Sequence, residues 1–176
     1  SGSMNEKVRG AGTTGVGSPD ETKLTRAKRE LVRSLKALPS GMMVNVVAYS
    51  DGIRPYAEGM IKLDAGNRRG LIAWAKALRA DGKTNIYAAL RSVFDTARGR
   101  RQRAAPEMIL DTVVLLTDGI PTAGRVQDSD LIASEVERMN DRARVVVHTV
   151  GVGPGHDAEL LKRLSGESQG VYMRAR

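Results

Sequence analysis

Asp111-Thr112-Val113-Val114-Leu115-Leu116-Thr117-Asp118-Gly119 decides how the fold is read. The run Val113 to Leu116 is apolar without alternation, begins with two β-branched residues and ends at Thr117-Asp118-Gly119, with Ile120-Pro121 beyond. Unbroken hydrophobicity of this kind is the pattern of a parallel strand covered on both faces. Ligand sites in open α/β sheets lie at the carboxyl ends of such strands. Asp118 therefore has two readings: a carboxylate presented to a ligand, or an Asp that caps the turn.

Working outward, helical and strand patterns alternate. Toward the amino end, Leu24, Ala27, Leu31, Leu35 and Leu38 recur at helical spacing and predict a helix over Glu21–Leu38, stopped by Pro39-Ser40-Gly41. Met43–Ser50 reads as a strand and Asp51-Gly52 as a turn. Arg54–Leu63 contains Pro55, which an edge strand tolerates and a central one does not, so a short edge hairpin is expected there. A second helix is expected over Asn67–Arg79, with Leu71, Trp74, Ala75 and Leu78 on one face and Trp74 as core packing. A third runs over Asn85–Ala97, with Ile86, Ala89, Leu90 and Val93 inward and Thr84 at the N-cap. Past the central strand, Asp128–Arg142 is helical with Leu131, Ile132, Val136 and Met139 inward. Val145–Val150, within Arg144–Gly153, is a second buried strand, and a helix over Asp157–Leu164 leads to a last strand, Gly170–Arg174. Parallel strands need such crossover helices, so the alternation gives an α/β fold with helices on both faces of a parallel sheet.

Composition narrows the chemistry. The 176 residues suit one domain, and with no cysteine neither a disulfide nor a thiolate metal site forms. No apolar run approaches the roughly 20 residues of a membrane span. The net charge of +8 raises the question of nucleic acid. Much of the excess sits in Arg98, Arg100, Arg101 and Arg103, interleaved with Gly99 and Gln102 and without aromatic neighbours for base stacking. That run reads as an exposed basic loop over residues 98–106, with an anionic partner surface as the sharper alternative and no specific nucleic-acid site. Residues 1–20 are rich in Gly, Ser and Thr and read as loop. Gly10-Ala-Gly12-Thr-Thr-Gly15 matches a dinucleotide fingerprint in letters only, because no strand precedes it and Ser18-Pro19-Asp20 follows it in place of a helix. His148 and His156 lack a companion at metal-ligand spacing, and no nucleophile, base and acid stand together in a motif, so nothing supports an enzyme.

Leu116-Thr-Asp118-Gly-Ile-Pro-Thr-Ala-Gly124, Gly82-Lys-Thr84-Asn-Ile-Tyr-Ala-Ala-Leu90 and Ser1-Gly-Ser3-Met4 together resemble the von Willebrand factor type A domain. Val44–Tyr49, the strand end Val147–Gly153 and the closing Gly170-Val-Tyr also fit, so the resemblance spans essentially the whole chain as a single domain. It implies a three-layer α-β-α, Rossmann-like fold with a mostly parallel central sheet and one antiparallel edge strand. It also implies a metal-ion-dependent adhesion site at the top of the sheet, with Ser1 and Ser3 as the two serines of the Asp-x-Ser-x-Ser motif, Thr84 as its threonine and Asp118 as its last aspartate. Residues 1–20 would then be the metal-site loop.

The first aspartate of that motif would lie two residues before Ser1 and is absent, as is the central strand that carries it in the family. The expectation is therefore a fragment missing its first central strand, with a cloning scar ahead of Met4 as the competing account. Hydroxyl and carboxylate donors suit Mg²⁺, which keeps several waters and uses few protein ligands. The function implied is a non-enzymatic interaction module whose metal, weakened by the missing aspartate, accepts a carboxylate from a protein ligand. Two alternatives are a structural or regulatory domain with a non-functional metal site, and a Mg²⁺-dependent nucleotide-handling α/β enzyme using Asp118.

Overall fold

The computed structural model describes residues 23–79, 82–101 and 110–175. Among these residues, five helices and seven short strands follow in the order α1 (Lys23–Ala37), β1 (Met43–Val44), β2 (Val47–Tyr49), β3 (Ile53–Pro55), β4 (Ile61–Lys62), α2 (Ala65–Ala77), α3 (Ile86–Arg101), β5 (Thr112–Thr117), α4 (Ser129–Ala143), β6 (Val146–Val152), α5 (Ala158–Gly166) and β7 (Tyr172–Ala175). Strands β5, β6 and β7 form a parallel sheet in that order, and the register sets Val113 beside Val147 and Leu115 beside Thr149.

One face of this sheet carries the main core. Val113 and Leu115 of β5 and Val147 of β6 pack with Ile86, Leu90 and Phe94 of α3, Ile132 and Val136 of α4, and Leu160, Leu161 and Leu164 of α5. The opposite layer is α1 with α2, whose Leu35, Leu71 and Ala75 enclose Leu63 together with Val44 and Ile61 of the β1–β4 pair. This is the three-layer α/β arrangement that the alternation predicts. The hairpin region differs in detail. Asn45-Val46 divides the expected Met43–Ser50 strand, so β1 pairs with β4 and β2 with β3, both antiparallel. The Asn45 amide explains the break. It accepts from Val46 N and Ala57 N and donates to the Ala57 carbonyl, taking over bonds a continuous ladder would make.

Helix ends are set by local chemistry. Asp64, Asp128 and Asp157 cap α2, α4 and α5, accepting from Asn67 N (2.7 Å), Leu131 N (2.9 Å) and Leu160 N (2.9 Å). Arg68 of α2 donates to the Leu35 carbonyl and to Ser40 Oγ, closing the carboxyl end of α1. The cap of α3 is Asn85, whose Oδ1 accepts from Ala88 N at 3.1 Å, and not Thr84 as the sequence suggests. An Asn at this position has the shorter reach to the third amide, and the helix starts one residue later than expected.

Four further expectations need correction. Leu131 is 58% exposed, and the inward face of α4 is Ile132, Ala133 and Val136. Leu131 lies about 100° round the helix from Ile132, outside that buried stripe. On α3, Phe94 is fully buried while Val93 is only half-buried. Helix α3 continues to Arg101, so Arg98, Arg100 and Arg101 are helical and not loop; Arg is a good helix former and one Gly99 costs only about 1 kcal/mol. Residues 102–109, the rest of the basic run, lie outside the described residues. Finally, β5 is covered on one face only: Val114 is 62% exposed. Among the described residues, α1 packs mainly on α2 and only lightly on β6, leaving that side of β5 open.

Candidate metal site

The carboxyl ends of β2 and β5 reach the same rim, and the loops beyond them are stitched to one another. From β2, the Ser50 carbonyl accepts from Asn85 N (3.0 Å), and the Asp51 carboxylate accepts from Lys83 N (2.5 Å). Asp51 thus fixes the loop that carries Thr84 into α3. Gly82 gives it room: its φ is +76° and a Cβ there would run into the Asp51 carboxylate.

On the β5 side, the loop after Asp118 returns to Thr84. The Thr84 carbonyl accepts from Thr122 N (3.0 Å) and Ala123 N (3.3 Å), while Thr84 N donates to Thr122 Oγ1 (3.0 Å). The two segments are separated by 38 residues in the chain and joined here by three bonds. Gly124, at φ +98°, lies so close to the Asn85 amide that no side chain fits between them. Asn85 therefore caps α3, donates to the Asp51 carbonyl (3.4 Å) and abuts Gly124 at once.

Asp118 itself is 1% exposed, with Thr117 at 1% and Thr84 at 5%. A carboxylate withdrawn this far from water keeps its charge only among polar partners or a cation. Tyr49 of β2 adds a hydroxyl to this interior. Its O–H donates to the Leu116 carbonyl at 3.1 Å. Burial pushes the phenol well above its usual range; a hydrogen bond with Thr117 partly offsets this and the Asp118 charge adds to it. Tyr49 therefore stays protonated and serves as a donor. At the outer margin, Arg125 donates to Tyr87 Oη (2.9 Å) and lies 5.5 Å from that ring's centre, with Lys83 also exposed.

Of the residues singled out from sequence, Thr84 and Asp118 thus lie on one rim, on loops that hydrogen-bond. Ser1 and Ser3 lie outside the described residues. Tyr49, Asp51, Asn85 and Thr122 were not foreseen as part of the rim. Asp51 alone carried a signal, being an Asp directly after a strand. The chemistry of the donors is uniform: hydroxyls and carboxylates, all hard oxygen. Among the described residues no three His, Cys, Asp or Glu cluster as a metal cage. A donor set of one enclosed carboxylate with hydroxyls suits a cation that retains waters, as Mg²⁺ does, better than one needing several charged ligands.

Comparison with known proteins agrees with this architecture. A family profile described as von Willebrand factor type A domain matches residues 16–173. Human inter-alpha-trypsin inhibitor heavy chain H6 is 27% identical over 157 residues, covering 87% of this chain and 12% of that protein. Mouse inter alpha-trypsin inhibitor heavy chain 4 is 24% identical over 159 residues, covering 90% of this chain and 17% of that one. The chain thus spans less than a fifth of the length of these relatives. Among solved structures, a von Willebrand factor type A protein from Catenulispora acidiphila superposes with a TM-score of 0.71 at 18% identity, over 87% of this chain and 34% of that one. Proximal thread matrix protein 1 of the mussel byssus, solved with its adhesion-site motif occupied by zinc, gives 0.63 at 18% identity, over 86% and 38%. With a profile match across nearly its whole length and the same fold in solved relatives, this chain belongs to the von Willebrand factor type A domain family.

Proposed function

We propose that this domain is a non-enzymatic protein-interaction module whose rim holds a divalent cation through Thr84 and Asp118, together with Ser1 and Ser3. The observation that carries the reading is the triple hydrogen-bonded join between Thr84 and the Thr122-Ala123 segment, which brings the loop after Asp118 against the loop before α3. A mussel relative of the same fold carries zinc in this motif. The cation would supply a Lewis-acidic point with coordination positions left for water or for a carboxylate of the partner protein. Thr84 and Asp118 hold it, and Thr122, Asp51 and Asn85 keep the two loops in register.

The test is thermal unfolding of the wild type, Thr84→Ala and Asp118→Asn, each with EDTA and with MgCl₂. Mg²⁺ at ten times its dissociation constant adds roughly 1.4 kcal/mol, or roughly 3–5 °C in a domain of this size. The wild type should gain this increment and both variants should lose it. A wild type whose Tm ignores Mg²⁺, Mn²⁺ and Zn²⁺ would overturn the reading.

A further inference from the structure

Away from the rim, the outer edge of β3 borders a groove of about 450 Å³ that the reading above does not use. Ile53, Arg54 and Pro55 line one side, and Trp74, Ala77 and Leu78 of the α2 end line the other. Consecutive strand residues point to opposite faces, so three in a row can line one groove only if it follows the strand's edge.

The hydrogen-bond phase of β3 shows what that edge offers. Tyr56 N donates to the Val46 carbonyl and Ser50 N to the Gly52 carbonyl, so pairs 46/56, 48/54 and 50/52 face each other through bonds. By alternation, Ile53 and Pro55 direct their backbone groups outward. Ile53 presents both an N–H and a C=O, and Pro55 a C=O only. Among the described residues β3 pairs with no strand other than β2. An extended segment can therefore bond to Ile53 in one register, and Pro55 stops the ladder from running on into a longer sheet.

The surroundings are cationic. Arg54 lines the groove, and Arg79 follows Leu78 directly. Lys28 of α1 donates to the Lys76 carbonyl at the end of α2. Desolvation, and then the charge of Arg79, lower the pKa of this lysine, a sign of positive potential at this end of the helix pair. Among the described residues no Asp or Glu lines the groove. Trp74 gives the floor an aromatic wall, half-buried and held edge-on to Tyr56 at 5.6 Å between ring centres.

We infer that this groove docks an extended acidic segment of a partner protein, with one apolar side chain against Trp74 and flanking carboxylates at Arg54 and Arg79. A single aromatic wall and a stop after one backbone bridge suit a short peptide; single-stranded nucleic acid would need successive stacking platforms.

Trp74 is the only tryptophan of the chain and so reports on the groove directly. The experiment follows its emission in EDTA, which separates it from the metal reading. The probes are a Glu-Leu alternating hexapeptide amide, its Lys-Leu counterpart and an eight-residue oligothymidylate. Iodide should quench Trp74 in the free protein. The Glu-Leu peptide should protect it with saturable, salt-sensitive binding, and Arg54→Glu or Ala77→Glu should weaken that binding about tenfold or more. Both substitutions fall at exposed positions, and circular dichroism checks that the fold is kept. The inference is overturned if free Trp74 already resists iodide, if the Lys-Leu peptide or the oligothymidylate binds as well, or if neither substitution matters.

Discussion

Gly124 and Asn85 show how closely the rim is specified by single residues. Gly124 sits at φ +98° against the Asn85 amide, so an alanine there meets both a left-handed backbone and a filled space. The backbone penalty alone is roughly 1–2 kcal/mol, and Gly124→Ala should lower Tm by at least several degrees. Asn85→Ala, which loses the α3 cap, should cost about 1 kcal/mol. Because the small side chain vacates the space Gly124→Ala needs, the double variant should be more stable than the sum of the two; strict additivity in denaturant melts would contradict the contact. Tyr49 gives a pH prediction. Its folded pKa lies above the usual 10.0, so the unfolded state releases this proton first as pH rises. Stability from this group is complete below about pH 10 and falls above it. Tyr49→Phe should therefore flatten the alkaline loss of stability, measured as the difference between wild-type and variant denaturant midpoints from pH 9 to 11.

At the scale of elements, periodicity located what packing enforces. The apolar stripe of α1 and the unbroken runs of β5 and β6 were legible because their apolar residues recur at element spacing, and their ends fall within two residues of the expectation. The hairpin was less so: Asn45 replaces ladder bonds with its own amide, and nothing in hydrophobicity marks that. Leu131 misled because it lies about 100° round the helix from Ile132, off the stripe that Ile132, Val136 and Ala143 bury. At the rim, Asp118 and Thr84 could be recognised from their motifs, whereas Thr122 acts by accepting from a backbone amide 38 residues away, a partner that no local pattern names, and Asp51 showed only as an Asp after a strand. The basic run tests the carboxyl end of α3. From Arg98 to Arg103 it contains no apolar side chain, so exchanging its four arginines for serine removes no core contact. Helix propensity would change by a few tenths of a kcal/mol at each helical position, about 1 kcal/mol in all. A Tm drop beyond roughly 4 °C would mean that these arginines pack against something.

For the whole molecule, the decisive feature is the space between β2 and β5. Strand β5 is bonded to β6 on one edge, β2 to β3 on one edge, and among the described residues no ladder joins β2 to β5. The Tyr49 hydroxyl on the Leu116 carbonyl spans them instead. If no other backbone pairs with these two facing edges, each group left dry there would cost roughly 1–3 kcal/mol. A few such groups rival the roughly 5–15 kcal/mol that holds a domain together. At the rim near Asp118, a second carboxylate would add the charge that hydroxyls cannot supply to a hard cation. An apolar strand placed ahead of Ser1 and ending in Asp-x should then raise stability and Mg²⁺ affinity together, because one insertion fills the sheet and completes the donor set. Changing that added Asp to Asn should keep most of the stability gain and lose the gain in Mg²⁺ affinity, separating the two effects. Thermal melts with and without Mg²⁺ on the three chains decide it: if the chain beginning at Ser1 melts as cooperatively, and gains as much from Mg²⁺, as the extended one, the space between β2 and β5 is not a strand site.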